Sequence, residues 1–407
     1  MKQLFAFMFS NIVIMAGEMI DTSFMSNAGI DALCATAAYN SISNLCYKIY
    51  NIGAYAYRVM MSRIKACIAV QITLSSIIGV LCLVFCNQIT MIFDLSRHQR
   101  FLLKWMIIIY AVQLPLRGFS MVVTDWLTFN CLNKHLIRAN VIFYVTLIIG
   151  DAIVFILKQP VYWMIFATMI SYIINDAYML AFTGILKTDD KVDKESIKDV
   201  INFGLNVSIG RSFGGVCKTF VTSLASCLGT YEFALYGVAS NVMSCVEYVT
   251  NSSYYYGSVK VKNANNKMKT GMNELRKICV PEILVSTVAM MICVISMHGE
   301  TNLSDALKCS LLACTNIIVH IIWGMVYSIT QTSYMVKLGR NGEIVDSITM
   351  VTIALLAVHF KLGLTIFLLL STAGTTAYIT VLTVGYLYNT RKERKVYGKE
   401  HESDSGL

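Results

Sequence analysis

The chain has little proline and few charged residues for its length. Only 3 of its 407 residues are proline, and only 14% are Asp, Glu, Lys or Arg. By contrast, 56% of the residues are hydrophobic and the mean hydropathy is +0.61. A water-soluble core does not need that much apolar side chain. The composition therefore indicates that the bilayer is the main solvent of this protein.

The three prolines leave the hydrophobic runs almost uninterrupted. Pro160 and Pro281 lie at the edges of such runs, where a missing backbone amide costs little. Pro115 lies inside a run, so we expect it to kink the helix there.

Several kinds of chemistry lack a motif. The sequence contains no P-loop, no H-E-x-x-H and no G-x-S-x-G, so nothing supports nucleotide hydrolysis, zinc peptidase or serine hydrolase activity. The 13 cysteines form no C-x-x-C pair beside histidines and fall mostly inside hydrophobic runs. We interpret them as small packing residues and expect no cofactor.

About twelve hydrophobic runs are long enough to cross a membrane as helices. They are unbroken rather than alternating, which excludes a barrel of strands. We therefore predict an all-α membrane protein with about twelve transmembrane helices in two six-helix lobes. The predicted spans are 4–24, 33–61, 66–93, 101–129, 139–157, 161–186, 200–228, 231–257, 278–297, 307–330, 344–360 and 364–388.

A short motif recurs after about two hundred residues. Thr22-Ser23-x-x-Ser26-x-x-Gly29 reappears as Thr222-Ser223-x-x-Ser226-x-x-Gly229, and each copy closes the first span of its half. The hydropathy of the two halves also matches span for span. This pattern predicts a duplicated protein with a parallel pseudo-two-fold repeat, which is a common design of secondary transporters.

The basic residues orient the predicted spans. If the N-terminus is inside, Lys and Arg cluster in the segments that face the cytoplasm. We therefore interpret the net charge of +9 as an indication of topology and not of nucleic-acid binding. We predict an N-lobe over 1–186, a cytoplasmic linker over 187–199, a C-lobe over 200–389 and a basic cytoplasmic tail over 390–407. The expected location is a cell membrane, the plasma membrane of a bacterium, with both termini in the cytoplasm.

Several short motifs resemble the multidrug and toxic compound extrusion (MATE) family of the multidrug/oligosaccharidyl-lipid/polysaccharide exporter superfamily. The stretch from Asp21-Thr22-Ser23-Phe24 to Gly29 is similar to the family's first helix, and Gly150-Asp151-Ala152 resembles its fifth. Ala167-Thr168-Met169-Ile170-Ser171 resembles its sixth helix, and Pro115 stands where the family has a fourth-helix proline.

The resemblance implies a cation site in the N-lobe formed by Asp21, Asp151 and Thr168. Glu18 lies three residues before Asp21 and therefore on the same helix face, so it joins the candidates. The family usually has an Asn one turn before the fifth-helix Asp, where this chain has Leu147. The loss of that oxygen favours a proton, and a sodium ion at Asp21 and Asp151 remains the alternative.

Basic residues inside the predicted spans are unusual, because a charge in the bilayer is retained only when it is paired or useful. The candidates for a substrate cleft are Lys48, Glu247, Lys218, Arg211, Tyr55 and Tyr255. Under the offset of about two hundred, Lys48 maps next to Glu247, so we expect these two side chains to meet across the cleft in one conformation and to part in the other. Arg117, Asp125 and Asp176 are further intramembrane charges, and several cations in one cleft favour substrates with an anionic group.

The first functional hypothesis is a cation-coupled antiporter, not an enzyme, that exports small amphipathic or drug-like molecules by alternating access. The second is a lipid-linked saccharide flippase of the same superfamily. A third is a membrane-embedded transferase, which would need acids and histidines clustered at one interface. The expected partners are a small-molecule substrate and membrane lipid, with no nucleic acid, and we expect a monomer.

Overall fold

The protein consists of helices connected by short turns. The computed structural model describes residues 2–404 except 61, 131, 186–189, 191, 262–263 and 334, and it does not describe the side chains of residues 2–10, 13, 59, 129, 133, 206, 255, 331, 336 and 391–404. The helices are α1 (Lys2–Ser26), α2 (Ile30–Tyr50), α3 (Ile52–Met60), α4 (Ile64–Val84), α5 (Cys86–Thr90), α6 (Arg97–Phe129), α7 (Asn133–Ile156), α8 (Tyr162–Phe182), α9 (Lys194–Ser226), α10 (Thr230–Val261), α11 (Lys267–Met297), α12 (Leu303–Ala313), α13 (Asn316–Thr332), α14 (Val336–His359) and α15 (Leu364–Asp404).

These helices form twelve passages that correspond to the twelve predicted spans. Three passages consist of two helices each, namely α2 with α3, α4 with α5, and α12 with α13. Eight stretches within the described residues are long and apolar enough to cross a membrane. The chain is therefore a multi-pass membrane protein with the predicted all-helical architecture.

The N-terminal ends of two helices extend further than the hydrophobic runs. α9 begins at Lys194, inside the predicted linker, because Asp193 caps it by accepting a hydrogen bond from the Ser196 amide at 2.7 Å. Residues 187–189 and 191 of that linker lie outside the described residues. α11 begins at Lys267, so Pro281 lies inside a helix and not at its edge as predicted.

The helices of the two halves are related by an offset of about two hundred residues. α1 ends at Ser26 and α9 at Ser226, while α2 begins at Ile30 and α10 at Thr230. The later helices of each half keep similar offsets up to α8 and α15. The backbone thus repeats over the length of both halves.

The halves pack together by a reciprocal exchange of contacts. α1 packs against α10 of the second half, and its counterpart α9 packs against α2 of the first. α2 and α10 pack against each other, and their Asn40 and Asn241 side chains are joined by a hydrogen bond of 3.0 Å. α1 also contacts α11, whereas α9 contacts α4. This arrangement is the one that a pseudo-two-fold axis between α2 and α10 produces.

Candidate functional site

Two carboxyl groups meet where α1 and α7 pack together. The side chains of Asp21 and Asp151 lie close enough to interact with each other. Asp151 is fully buried, and neither of its carboxyl oxygens receives a hydrogen bond from the other described residues. Two ionised carboxylates at this distance repel each other, whereas a proton on either group completes a hydrogen bond between them. The pair can therefore hold a proton or a small cation.

Glu18 lies one turn before Asp21 on α1. Its carboxylate accepts a hydrogen bond from the Tyr144 hydroxyl of α7 at 3.3 Å. Gly17 makes this contact possible, because an added Cβ there would lie 2.2 Å from the Tyr144 ring. Glu18 also interacts electrostatically with Arg117 of α6 and with Asp21. Glu18 therefore interacts both with the acid pair and with a basic side chain of α6.

Thr168 has no direct bond to the acid pair among the described contacts. Gly150 and Ala167, which precede Asp151 and Thr168 in the sequence, are in contact and hold α7 against α8. The Thr168 hydroxyl donates to the Met164 carbonyl of its own helix at 3.0 Å. Its oxygen retains a lone pair, so it can still serve as a neutral ligand.

Lys48 lies at the end of α2, against the second half. Gly214 and Gly215 of α9 leave room for its side chain, since a Cβ on Gly215 would lie 3.2 Å from the Lys48 Cδ. The acids that interact electrostatically with Lys48 are Glu343 and Asp346 of α14. Lys48, a residue of the first half, therefore lies among charged side chains of the second half.

Arg211 of α9 lies in the same group. Its Nε is 3.5 Å from a Glu343 carboxylate oxygen, and its guanidinium lies over the Tyr55 ring at 4.6 Å from the centroid. Lys218 is also close enough to interact with Lys48. Four of the predicted cleft residues, Lys48, Arg211, Lys218 and Tyr55, thus lie where α2, α3 and α9 meet.

Glu247 occupies a different environment on α10. It interacts electrostatically with His320 of α13, whose Nδ1 is 2.8 Å from the Thr250 hydroxyl. The described side chains include no ion pair between Glu247 and Lys48, so the expected contact across the cleft is not formed in this conformation. The side chain of Tyr255 lies outside the described residues.

Three acids of the second half were missed by the sequence interpretation. Glu343 lies one residue before a predicted span, where it resembles an interfacial acid, and Asp346 and Glu282 lie within spans. Glu282 of α11 is fully buried, and neither carboxyl oxygen has a hydrogen-bond partner among the described residues. A charged residue inside a membrane span is usually retained because it is paired or functional, and this rule could have identified the three acids.

The repeated serines join the two halves near the ends of α1 and α9. The Ser23 hydroxyl donates to the Ser296 carbonyl of α11 at 2.7 Å, and Ser223 donates to the Ile92 carbonyl after α5. Each serine thus binds the end of the third passage of the opposite half. The recurring motif is explained by equivalent contacts on the two sides of the pseudo-two-fold axis.

A second set of contacts joins the halves further along α9. The hydroxyls of Ser208 and Ser212, in the middle of α9, donate to the Lys48 carbonyl at 3.1 and 3.2 Å, and Arg63 forms an ion pair with Asp199 near the start of α9. The halves therefore touch near both ends of α9.

The fold resembles that of solved membrane transporters. An inward-facing multidrug resistance MATE family transporter of the MOP superfamily has a TM-score of 0.72 at 14% identity, covering 94% of this chain and 95% of the other. A mutant of the Vibrio cholerae MATE transporter VcmN has a TM-score of 0.71 at 13% identity, covering 96% and 97%.

A third similar structure is a MOP superfamily transporter from Pyrococcus furiosus, with a TM-score of 0.66, 14% identity and coverage of 96% and 95%. Its description reports a binding pocket of reverse polarity and suggests a different function for that protein. No protein-family model and no curated protein sequence matches the chain. The chain therefore has the fold of MATE transporters, as its motifs indicated.

Proposed function

We propose that the protein is a cation-coupled antiporter that exports small amphipathic molecules. The carboxyl pair of Asp21 and Asp151 carries this proposal, since an ion-coupled transporter needs a buried group whose charge changes or is masked. The fold shared with MATE transporters supports the same function.

The geometry of the acid pair supports a proton as the coupling ion. One proton between Asp21 and Asp151 would form a hydrogen bond and remove the charge repulsion. A metal cation needs several oxygen ligands, and the buried side chain of Leu147 supplies none where the family usually has an Asn. Sodium would need Thr168, a carbonyl or water to complete its shell.

Alternating access would proceed by breaking one set of contacts between the halves at a time. Release of the Ser23 and Ser223 hydrogen bonds would open one face, and release of Lys48, Arg63 and their partners would open the other. Both sets are small and polar, so each can exchange its hydrogen bonds for bonds to water.

The proposal includes the arrangement of the chain in the membrane. Residues 1–186 and 200–389 would be the two moving lobes of a monomer in a bacterial plasma membrane. The segment 187–199, both termini and the basic tail 390–407 would lie in the cytoplasm, where the tail can contact anionic lipid.

The coupling site is tested by replacing its titratable groups. Asp21→Asn and Asp151→Asn keep the side-chain shape but remove the exchangeable proton, so gradient-driven flux should fall at least about tenfold in each. The measurement is uptake of fluorescein and of ethidium, tested separately, by proteoliposomes under an imposed proton or sodium gradient.

Asp305→Asn is the matched control, because Asp305 lies on α12 and forms an ion pair with Lys308 far along the chain from the acid pair. This variant should transport like the wild type. Flux equal to the wild type in both Asp21→Asn and Asp151→Asn would rule out the cation site at this pair.

A further inference from the structure

Arg117 of α6 has no hydrogen-bond or ion-pair partner among the described residues. Other arginines near the junction of the halves are paired, with the Arg58 Nε at 2.7 Å from Asp125 and the Arg211 Nε at 3.5 Å from Glu343. The guanidinium of Arg117 carries five N–H donors, and leaving them unused inside a protein is costly. A structural ion pair therefore does not explain why an arginine lies at this position.

Tyrosine rings surround this guanidinium. Its Cζ lies 6.0 Å from the Tyr47 centroid and 5.8 Å from the Tyr110 centroid. The hydroxyl of Tyr110 donates to the Ser43 carbonyl at 3.0 Å, which fixes the orientation of that ring. Tyr172 of α8 also interacts electrostatically with Arg117. The ring faces stabilise the positive charge, but they offer no pair of acceptors for two parallel hydrogen bonds from the guanidinium.

Arg117 also lies at the junction of the two halves. Tyr248 of α10, in the second half, interacts with both Arg117 and Tyr47. Arg117 is only partly buried although it is surrounded by these central helices. Part of its side chain therefore remains accessible at the junction of the two halves.

Glu18 does not neutralise Arg117 directly. The two groups interact electrostatically, but no ion pair within 4.0 Å joins them, and Glu18 instead accepts the Tyr144 hydroxyl. The guanidinium donors consequently remain free for a group that enters this junction. A planar oxyacid group matches these donors, because it can accept two parallel N–H bonds from one arginine.

We propose that the transported molecule is a soluble aromatic anion whose acidic group binds Arg117 while its ring system packs against Tyr47 and Tyr248. This inference rests on the proposed export function and specifies its substrate class. A carboxylate, sulfonate or phosphate would provide the acidic group, and the tyrosine rings on both halves would contact the apolar body.

The test compares two dyes that share a xanthene ring system and differ in charge, fluorescein as the anion and rhodamine 6G as the cation. Binding to the purified full-length protein in neutral detergent is measured by fluorescence polarisation without any ion gradient. Wild-type protein should bind fluorescein at least about tenfold more tightly than rhodamine 6G, since charge-assisted bonds to arginine account for that ratio.

Arg117→Met should weaken fluorescein binding by about tenfold or more, whereas rhodamine 6G should bind as tightly or more tightly, because a repulsive charge is removed. Retained rhodamine 6G binding also shows that the variant is folded. Arg117→Lys should retain part of the preference, because the charge remains without the bidentate geometry. Arg138→Met is the matched control, since Arg138 is an exposed arginine near the start of α7, and it should behave like the wild type.

Equal or tighter binding of rhodamine 6G by the wild type, or no fluorescein binding, would overturn the inference. Retention of the full preference in Arg117→Met would do the same. Displacement of fluorescein by phosphatidylglycerol micelles would place a lipid headgroup at Arg117 instead of a soluble anion. Failure of the coupling proposal is seen separately, as normal gradient-driven flux in Asp21→Asn and Asp151→Asn, because dye binding needs no gradient.

Discussion

At the scale of single residues, the internal repeat is clearest in two glycines. Gly29 and Gly229 precede α2 and α10, with φ angles of 113° and 120° that L-residues rarely adopt. Their carbonyls accept the first helical hydrogen bonds, from Leu33 at 3.0 Å and Phe233 at 2.9 Å. The same strained backbone thus reverses the chain at the same place in both halves.

Alanine at either glycine should destabilise the protein by about 1–3 kcal/mol, because the backbone region is essentially restricted to glycine. An added Cβ at Gly29 has room, with the Glu300 carboxylate 3.8 Å away, so the cost arises from the backbone and not from a clash. Thermal unfolding of the purified variants in detergent measures it.

Gly363→Ala is the comparison, since φ is 72° there and no atom lies within 4 Å of the added Cβ. It should cost less, because the left-handed helical region is accessible to other residues. Unfolding temperatures unchanged in both Gly29→Ala and Gly229→Ala would contradict the strain argument.

Single-residue chemistry was only partly predictable from the sequence. Asp21 and Asp151 could be identified because they lie in family-like motifs, and the structure places their carboxyl groups together. The neighbours of Lys48 could not be identified, since an offset of two hundred gives the depth of a residue but not its rotation about the helix. In this conformation Lys48 interacts with Glu343 and Asp346, which lie on α14.

At the scale of helices, hydropathy located every passage, but it could not locate the interruptions within them. α2 and α3 are separated at Asn51, and α4 and α5 at Phe85. The fully buried Gln71 side chain of α4 accepts from the amides of Gly53 and Ala54 at 2.8 and 3.3 Å. These amides begin α3 and lack a preceding turn, so a tertiary contact stabilises the break.

The start of α9 depends on a single cap. Hydrogen bonds from the Ser196 hydroxyl and amide lower the pKa of Asp193 below its usual value of 3.8. Because the pKa is lower in the folded state than in the unfolded state, this cap stabilises the folded state at pH values above the usual pKa. That stabilisation is lost as the pH falls through the lowered pKa.

Asp193→Ala should therefore increase hydrogen exchange at the amides that follow it, and Asp193→Asn should do so less, since Asn also caps helices. Mass spectrometry of the peptide over 193–200 at neutral pH measures the effect. Glu195→Ala is the control, because its side chain accepts none of the described hydrogen bonds of this turn. Equal exchange in wild type and Asp193→Ala would show that the helix starts without the cap.

At the scale of the whole molecule, the pseudo-two-fold relation determines how the halves meet. Both halves enter the membrane from the same side because each contains six passages, and their equivalent helices contact the opposite half in equivalent ways. The sequence predicted this architecture from the repeat and the span count. It could not predict that the halves touch near both ends of α9, because hydropathy locates the spans but not the contacts between them.

The orientation of the molecule can be measured by labelling from outside the cell. In a cysteine-free background, Ser304→Cys at the exposed start of α12 should react with a membrane-impermeant maleimide. Glu195→Cys at the exposed start of α9 should react only after the membrane is permeabilised, because the basic residues indicate that this segment is cytoplasmic. The opposite labelling pattern would reverse the proposed topology.

The reciprocal packing of the halves also bears on how the protein is made. α1 leaves the ribosome before α10, the helix of the second half against which it packs, and α10 ends at Val261. During synthesis, the face of α1 that carries Asn11, whose side chain donates to the Ser252 hydroxyl of α10, has no partner surface until more than half of the chain has been inserted. Lipid, water at the insertion machinery or a chaperone must shield this polar side chain in the interval, so the last steps of assembly wait for the second half.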